Sequence, residues 1–128
     1  NLEWARDNRT TGIRIPLSDP AARRVENRLA GMDCNPYLGI AASLACCYLG
    51  LKDGVRPTAS YKGDAYDGEE AIPRGLHGAL DLFDAATSLH DVLHPEFARV
   101  YSIVKRTEYS EFLQVISPWE REYLLMNV

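Results

Sequence analysis

The 128-residue chain has no excess of basic residues, because 14 Lys and Arg stand against 18 Asp and Glu, for a formal net charge of −4. Domains that bind nucleic acid carry a basic patch or stripe, so this composition argues against a nucleic-acid partner. The longest strongly apolar run, 38–51, is shorter than the ~20 residues that a membrane-spanning helix requires. We therefore expect neither a nucleic acid nor a membrane as a partner.

Cysteine is scarce, and catalytic signatures are missing. The three cysteines, Cys34, Cys46 and Cys47, are an odd number and form no Cys-x-x-Cys pair, so we expect reduced, buried thiols in a cytoplasmic protein. The sequence has no Ser-His or Cys-His pattern, no Gly-rich phosphate loop, no internal repeat and no low-complexity tract. It begins with Asn1 rather than Met and shows no signal peptide, which predicts a fragment or a processed chain.

What is present is an ordinary globular composition, 46% hydrophobic and 25% charged, with enough length for one core. The alternation of apolar and polar residues over 11–16 predicts a short strand that ends at Pro16. A turn over 17–22 and a second strand over 23–29 follow. The two strands can pair as a short antiparallel hairpin, and the sequence leaves their register open.

Helices are predicted for most of the remainder. Asn35-Pro36 is a strong helix start, and the helix, apolar on nearly all sides, ends at Gly50 or Gly54. A long loop is predicted over 56–72. Four helices are predicted after it: one over 74–86, a short one that starts at a cap formed by Thr87-Ser88 and ends at residue 93, one over 96–116, and one over 118–126. The class is α+β, a hairpin followed by about five helices. Two strands alone are unstable in water, and the helices are very apolar, so we expect this chain to lack a packing partner.

The most charged stretch is 23–29, in which Arg24, Glu26 and Arg28 lie on one face at the strand period of two. A carboxylate between two cations can hold Mg or Mn beside anionic oxygens, and guanidinium groups match phosphate and carboxylate. Arg9 and Arg14 lie within twenty residues, and phosphoryl transfer needs such neutralised charge. A single Glu cannot hold Mg by itself, so further carboxylates must come from elsewhere. The alternative is a solvated face with weak ion pairs.

Two other patterns have plain explanations. His90 and His94 have the i, i+4 spacing of a zinc site on a helix, but favourable placement near a helix end explains them better. Tyr61 and Tyr66 lie among acidic residues and suggest a modification or recognition loop, against which we favour a solvated connector.

Three motifs in order resemble the C-terminal part of the catalytic domain of the glutamine synthetase family. They are DNRTTGIRIP at 7–16, RRVENR at 23–28, and NPYL at 35–38 followed by two alanines at 41–42. The tail, with SPWE at 117–120, also resembles the end of that family. The resemblance covers essentially the whole chain, 1–128, as one C-terminal portion of the domain, which is roughly less than a third of a family member.

The resemblance implies an activity and a set of roles. The family makes a γ-glutamyl amide from glutamate, ATP and ammonia or an amine, through γ-glutamyl phosphate. By resemblance, Arg9 would contact the transferring phosphate and the glutamate substrate. Arg14 and Arg24 would lie along the nucleotide phosphates, and Glu26 would bind an active-site Mg or Mn ion. Arg28 would hold a substrate carboxylate.

The resemblance also implies a homo-oligomeric ligase of nitrogen metabolism when the chain is complete. Asp7 before Asn8-Arg9-Thr10 is similar to relatives that use polyamines, so ammonia and larger amines both stay open as acceptors. The family's other metal ligands lie upstream, and we expect the 128 residues to be inactive alone. One alternative is a non-catalytic, glutamine synthetase-like binding or assembly module. Another is a helical domain with a charged hairpin and no inherited site, which places Arg24 and Arg28 in solvent away from any acidic cavity.

Overall fold

The computed structural model describes residues 1–68 and 72–127. The last part of the predicted 56–72 loop, residues 69–71, lies outside the described residues, as does residue 128. The α+β class is confirmed, since a small sheet in the first 27 residues precedes a series of helices. No helix in the described ranges has both the length and the apolar character needed to cross a membrane.

The sheet has three short strands in the order β1-β2-β3: β1 (Trp4–Arg6), β2 (Ile13–Ile15) and β3 (Glu26–Asn27). β2 and β3 are antiparallel, as the hairpin prediction requires, and Arg14 lies opposite Glu26. β1 runs parallel to β2 and was not predicted, because three residues are too few to show an alternating pattern.

The second predicted strand, 23–29, corresponds to β3, which contains only two residues. β2 ends at Ile15, and in this register Pro16, which has no backbone N–H, would lie opposite Arg24, so the ladder does not continue to residues 23 and 24. The predicted turn contains a 3₁₀ turn over Pro20–Ala22, and Arg23 continues it with extended backbone.

The first helix, α1 (Pro36–Lys52), begins and ends with the predicted signals. The Asn35 side chain accepts hydrogen bonds from two backbone N–H groups of the first turn, at 3.0 and 3.4 Å. Gly54 takes a φ of 63°, and the Val55 N–H then donates to the Gly50 carbonyl at 2.9 Å. This pairing is a Schellman motif, so of the two predicted glycines Gly54 is the one that terminates α1.

The other helices are α2 (Leu76–Ala85), α3 (Thr87–Leu93), α4 (Pro95–Leu113) and α5 (Pro118–Tyr123). α5 has the predicted capping box: the Ser117 N–H donates to Glu120 Oε2 at 2.7 Å, and the Glu120 N–H donates to Ser117 Oγ at 3.1 Å. The predicted cap at Thr87 is wrong, because the N-cap residue is Ala86 and no side chain caps α3.

Burial is the largest departure from expectation. α1 packs on α3, and α4 packs on α2 and α3, with Tyr101 edge-on to Phe83 at 5.4 Å. The prediction of buried cysteines is wrong, since all three are exposed. Most of the large side chains of the apolar α1 are exposed as well. Within the described residues α1 is covered along one side only, so the apolar side chains on its other sides have no element packed against them there.

Candidate functional site

An ion-pair cluster forms where β1 ends and where β2 pairs with β3. Arg14 Nη1 donates to Glu26 Oε2 at 2.8 Å, and Arg14 Nη2 donates to Asp7 Oδ1. The Arg14 side chain is only 13% exposed. Because Arg14 and Glu26 are directly opposed in the antiparallel ladder, the strand register itself places the cation on the carboxylate.

Arg24 completes the cluster from the residues just before β3. Its Nε and Nη2 atoms lie 3.2 and 3.1 Å from Glu26 Oε1, and its side chain is 54% exposed. Both oxygens of Glu26 therefore accept from guanidinium groups. The hydrogen bond from Arg14, and then the two positive charges, hold the pKa of Glu26 below its ordinary value, so the group stays anionic further into the acidic range than an ordinary glutamate.

The structure brings together three of the five predicted site residues and leaves two apart. Arg24 and Glu26 meet as expected for one face, but the second cation on Glu26 is Arg14 from the neighbouring strand. Arg28 is exposed, and its backbone N–H donates to the Gly12 carbonyl at 2.9 Å. Arg9 is exposed as well. Neither of these guanidinium groups has an ion-pair partner among residues 1–68 and 72–127, so both are open to an external anion.

Asp7 belongs to the cluster and was not predicted as a site residue. It has a left-handed φ of 51°, and its N–H donates to the Ile15 carbonyl at 3.0 Å. This turn after β1 points the chain back along β2 and brings the carboxylate to Arg14. The only signal in the sequence is an acid directly before Asn8-Arg9, and its meaning depends on the parallel pairing of β1, which local pattern does not reveal.

The long loop does more than connect. The Asn8 Nδ2 donates to the Gly63 carbonyl at 2.9 Å, and the Ala65 N–H donates to Thr10 Oγ1 at 2.8 Å. The Tyr61 N–H donates to the Trp4 carbonyl at 2.9 Å. Most of 56–68 is exposed, as the connector prediction requires, but residues 63 and 65 are bonded to the turn that carries Arg9, and residue 61 is bonded to β1.

The residues present supply only part of a divalent-metal site. Within residues 1–68 and 72–127 there is no group of three or more His, Cys, Asp or Glu side chains that could hold a metal ion. Glu26 has the oxygen donors that Mg and Mn prefer, so it fits as one ligand, and the rest of a coordination shell would have to come from other residues. His90 Nε2 lies 2.7 Å from the Phe83 carbonyl, and His94 is at the end of α3, in line with the helix-end interpretation.

Comparison with known proteins gives consistent matches over nearly the whole chain. The family described as "Glutamine synthetase, catalytic domain" matches residues 1–124. A glutamate–isopropylamine ligase from Pseudomonas sp is 33% identical over 124 residues, which are 94% of this chain and 27% of that protein. A γ-glutamylputrescine synthetase from Escherichia coli is 34% identical, over 97% of this chain and 26% of that protein. A glutamine synthetase from Methanocaldococcus jannaschii is 30% identical, over 98% and 30%. The chain spans between a quarter and a third of the length of these curated relatives.

Proposed function

This chain belongs to the family of glutamine synthetase catalytic domains, and we propose that it is the C-terminal portion of an ATP-dependent ligase that joins glutamate to ammonia or another amine. The reaction runs in two steps. The glutamate γ-carboxylate attacks the γ-phosphorus of ATP and ADP leaves; the amine then attacks the acyl phosphate and inorganic phosphate leaves. The observation that carries the proposal is the cluster of Arg14, Arg24 and Glu26, flanked by the exposed Arg9 and Arg28.

The exposure of each arginine suits a different task. Arg9 and Arg28 are open to solvent and are available for the transferring phosphate and a substrate carboxylate, respectively. Arg24 is half-exposed and can pair with a nucleotide phosphate while it stays near Glu26. Arg14 donates one hydrogen bond from each Nη atom to a carboxylate, so the second hydrogen on each of these atoms is what it can offer to a phosphate. Positive groups so placed neutralise the charge that builds on the phosphoryl oxygens.

Glu26 is the residue of this chain that would bind Mg or Mn. A divalent ion held there would supply Lewis-acid stabilisation of the charge on the phosphoryl group. The carboxylate suits this role because it is anionic at neutral pH, and its lowered pKa extends the anionic range to more acidic solution. Its two guanidinium partners, Arg14 and Arg24, hold it in place next to the groups that are proposed to bind the nucleotide phosphates.

The complete protein, in this proposal, is a cytoplasmic homo-oligomer of nitrogen metabolism. Separate assays with ammonia, putrescine and ethanolamine test the acceptor, with amine-dependent ADP release as the measurement. We expect turnover with at least one amine in the complete protein and none in the 128 residues alone. Amine-dependent ADP release from the 128 residues alone would refute the fragment assignment. Nucleotide binding without turnover in the complete protein would favour the non-catalytic binding or assembly module instead.

A further inference from the structure

We infer that Asn8 and Thr10 are positioning residues that fix the backbone of Arg9 through paired contacts with residues 63–65. The inference rests on the proposed function, in which Arg9 contacts the transferring phosphate. In this inference the side chains of Asn8 and Thr10, which flank Arg9, and part of the 56–72 loop, which was predicted as a connector, have a role at the site.

The contacts form a continuous chain of hydrogen bonds. Thr10 Oγ1 donates to Asn8 Oδ1 at 2.8 Å and accepts from the Ala65 N–H at 2.8 Å. Asn8 Oδ1 also accepts from the Thr10 N–H at 2.9 Å, while Asn8 Nδ2 donates to the Gly63 carbonyl at 2.9 Å. The residues before and after Arg9 are therefore tied both to each other and to the same short segment, Gly63 to Ala65.

That segment is itself anchored. Ala65 is 2% exposed, and its carbonyl accepts from Asn1 Nδ2 at 3.0 Å. The same Asn1 nitrogen also donates to the Thr10 carbonyl at 3.0 Å. The side chain of Asp64 caps the turn that follows by accepting from the Tyr66 N–H at 2.9 Å. Residues 63–65 thus act as a fixed support rather than as a mobile loop that happens to touch the site.

Arg9 depends on this support because its own side chain has no hydrogen-bond or ion-pair partner in the described part of the chain. A long guanidinium side chain loses conformational entropy when it binds an anion. If the backbone of Arg9 is already fixed, only the side chain has to be ordered on binding, and the total loss is smaller. Phosphoryl transfer is sensitive to such placement, since a displacement of about 1 Å can cost ~10²-fold in rate. A rigid backbone on both sides of Arg9 meets this requirement.

The test replaces the Thr10 hydroxyl in the complete protein. Thr10→Val keeps the shape but removes both the donor to Asn8 and the acceptor for Ala65, and we expect kcat to fall by roughly ten- to a hundred-fold. Thr10→Ser keeps the hydroxyl and should restore kcat to within about threefold of wild type. Thr107→Val is the matched control, because within the described residues the Thr107 hydroxyl bonds only to its own helix, at the Ile103 carbonyl 2.9 Å away.

Two further measurements separate positioning from simple stability. In an Arg9→Ala background, Thr10→Val should cause little additional loss of kcat. Amide hydrogen exchange over residues 8–12 should accelerate in Thr10→Val and stay unchanged in Thr107→Val. If Thr10→Val does not fold, Asn8→Asp, which loses the donor to Gly63, is judged by the same criteria.

Unchanged kcat in folded Thr10→Val, or an equal loss with and without the Arg9 side chain, would overturn the inference. A wild-type protein without ligase activity would count against the proposed function instead. In that case the exchange rates over 8–12 still decide whether Thr10 holds the turn.

Discussion

Two regions of the molecule differ in how much apolar surface their contacts leave uncovered. The site region, residues 1–31 with 56–68, is connected by ion pairs and by side-chain hydrogen bonds to backbone, and its few buried residues, such as Ala5, Thr11 and Ala65, are small. The helical region, α1 to α5, also has ion pairs, such as Arg106 with Asp81 and Asp84, but it packs mainly through apolar side chains and leaves many large ones exposed. A cavity of about 410 Å³ opens between α1, α3 and α4 and is lined by residues that include Leu38, Phe97 and Tyr101.

The difference shows which interactions are complete within these residues. Hydrogen bonds and ion pairs are short and directional, so the donors and acceptors of a polar cluster can be satisfied by a few partners within the cluster. Apolar burial is proportional to area, so a helix covered on one side gains only part of the available free energy. The polar geometry around Glu26 is therefore already specified, whereas the helical region has apolar surface left for another layer. The predictions below test this contrast.

The largest expected effect is in the site region. Arg14→Met in the complete protein removes the cation shared by Asp7 and Glu26, and we expect kcat to fall by ~10²–10³-fold because phosphoryl charge loses a stabilising partner. The matched control is Arg99→Met, whose guanidinium pairs with Glu96 within α4 and is 60% exposed. Steady-state ADP release measures both. Equal losses in the two variants would break the contrast between the regions.

The next effect is in the helical region. Leu80, on α2, is 3% exposed, and Leu80→Ala should lower the free energy of unfolding by about 2–4 kcal/mol through lost burial and a new cavity. Leu82 on the same helix is 60% exposed, and Leu82→Ala should change it by less than ~0.5 kcal/mol. Urea unfolding followed by circular dichroism at one protein concentration gives both values. A comparable loss at Leu82 would contradict the exposed position of this side chain.

A smaller effect is expected at the start of α5. Ser117→Ala removes the acceptor for the Glu120 N–H and should destabilise the protein by about 1 kcal/mol. Ser110→Ala, on the exposed face of α4, serves as the control, because its hydroxyl has no hydrogen-bond partner in the described residues. The unfolding midpoint in urea is the measurement. No difference between the two serine variants would mean that the capping box adds nothing to a helix this short.

The smallest effect is a change in pH dependence. Hydrogen bonds from Arg14 lower the pKa of Glu26, so the folded state binds this proton less readily than the unfolded chain does. The stabilisation is therefore complete above the ordinary pKa of a glutamate and is lost as pH falls through the lowered value. In Glu26→Gln the acid side of a plot of unfolding midpoint against pH should be flatter than in wild type. Glu122→Gln, at an exposed residue without an ion pair in the described ranges, should keep the wild-type slope.

Local signals in the sequence predicted the helices well and the sheet only in part. The Asn35-Pro36 start, the Ser117–Glu120 box and the glycine stop of α1 are each decided within about five residues, because capping groups bond to their own helix end. The antiparallel pairing of β2 and β3 was predicted from alternation, but its register and its short length were not. β1 has no local signal at all. Without the position of β1, the sequence does not show that the turn at Asp7 brings this carboxylate to Arg14.

The sequence alone determined which residue types gather near one another: arginines around a glutamate, an apolar helix with a capped start, and motifs of one enzyme family. Only the tertiary structure decided that Arg14 rather than Arg28 is the second cation on Glu26, that Asp7 joins them, and that residues 63–65 support the turn carrying Arg9. It also decided that the cysteines are exposed. The reason is that caps and turns depend on neighbours in the chain, whereas register, cross-loop hydrogen bonds and burial depend on partners up to 64 residues away.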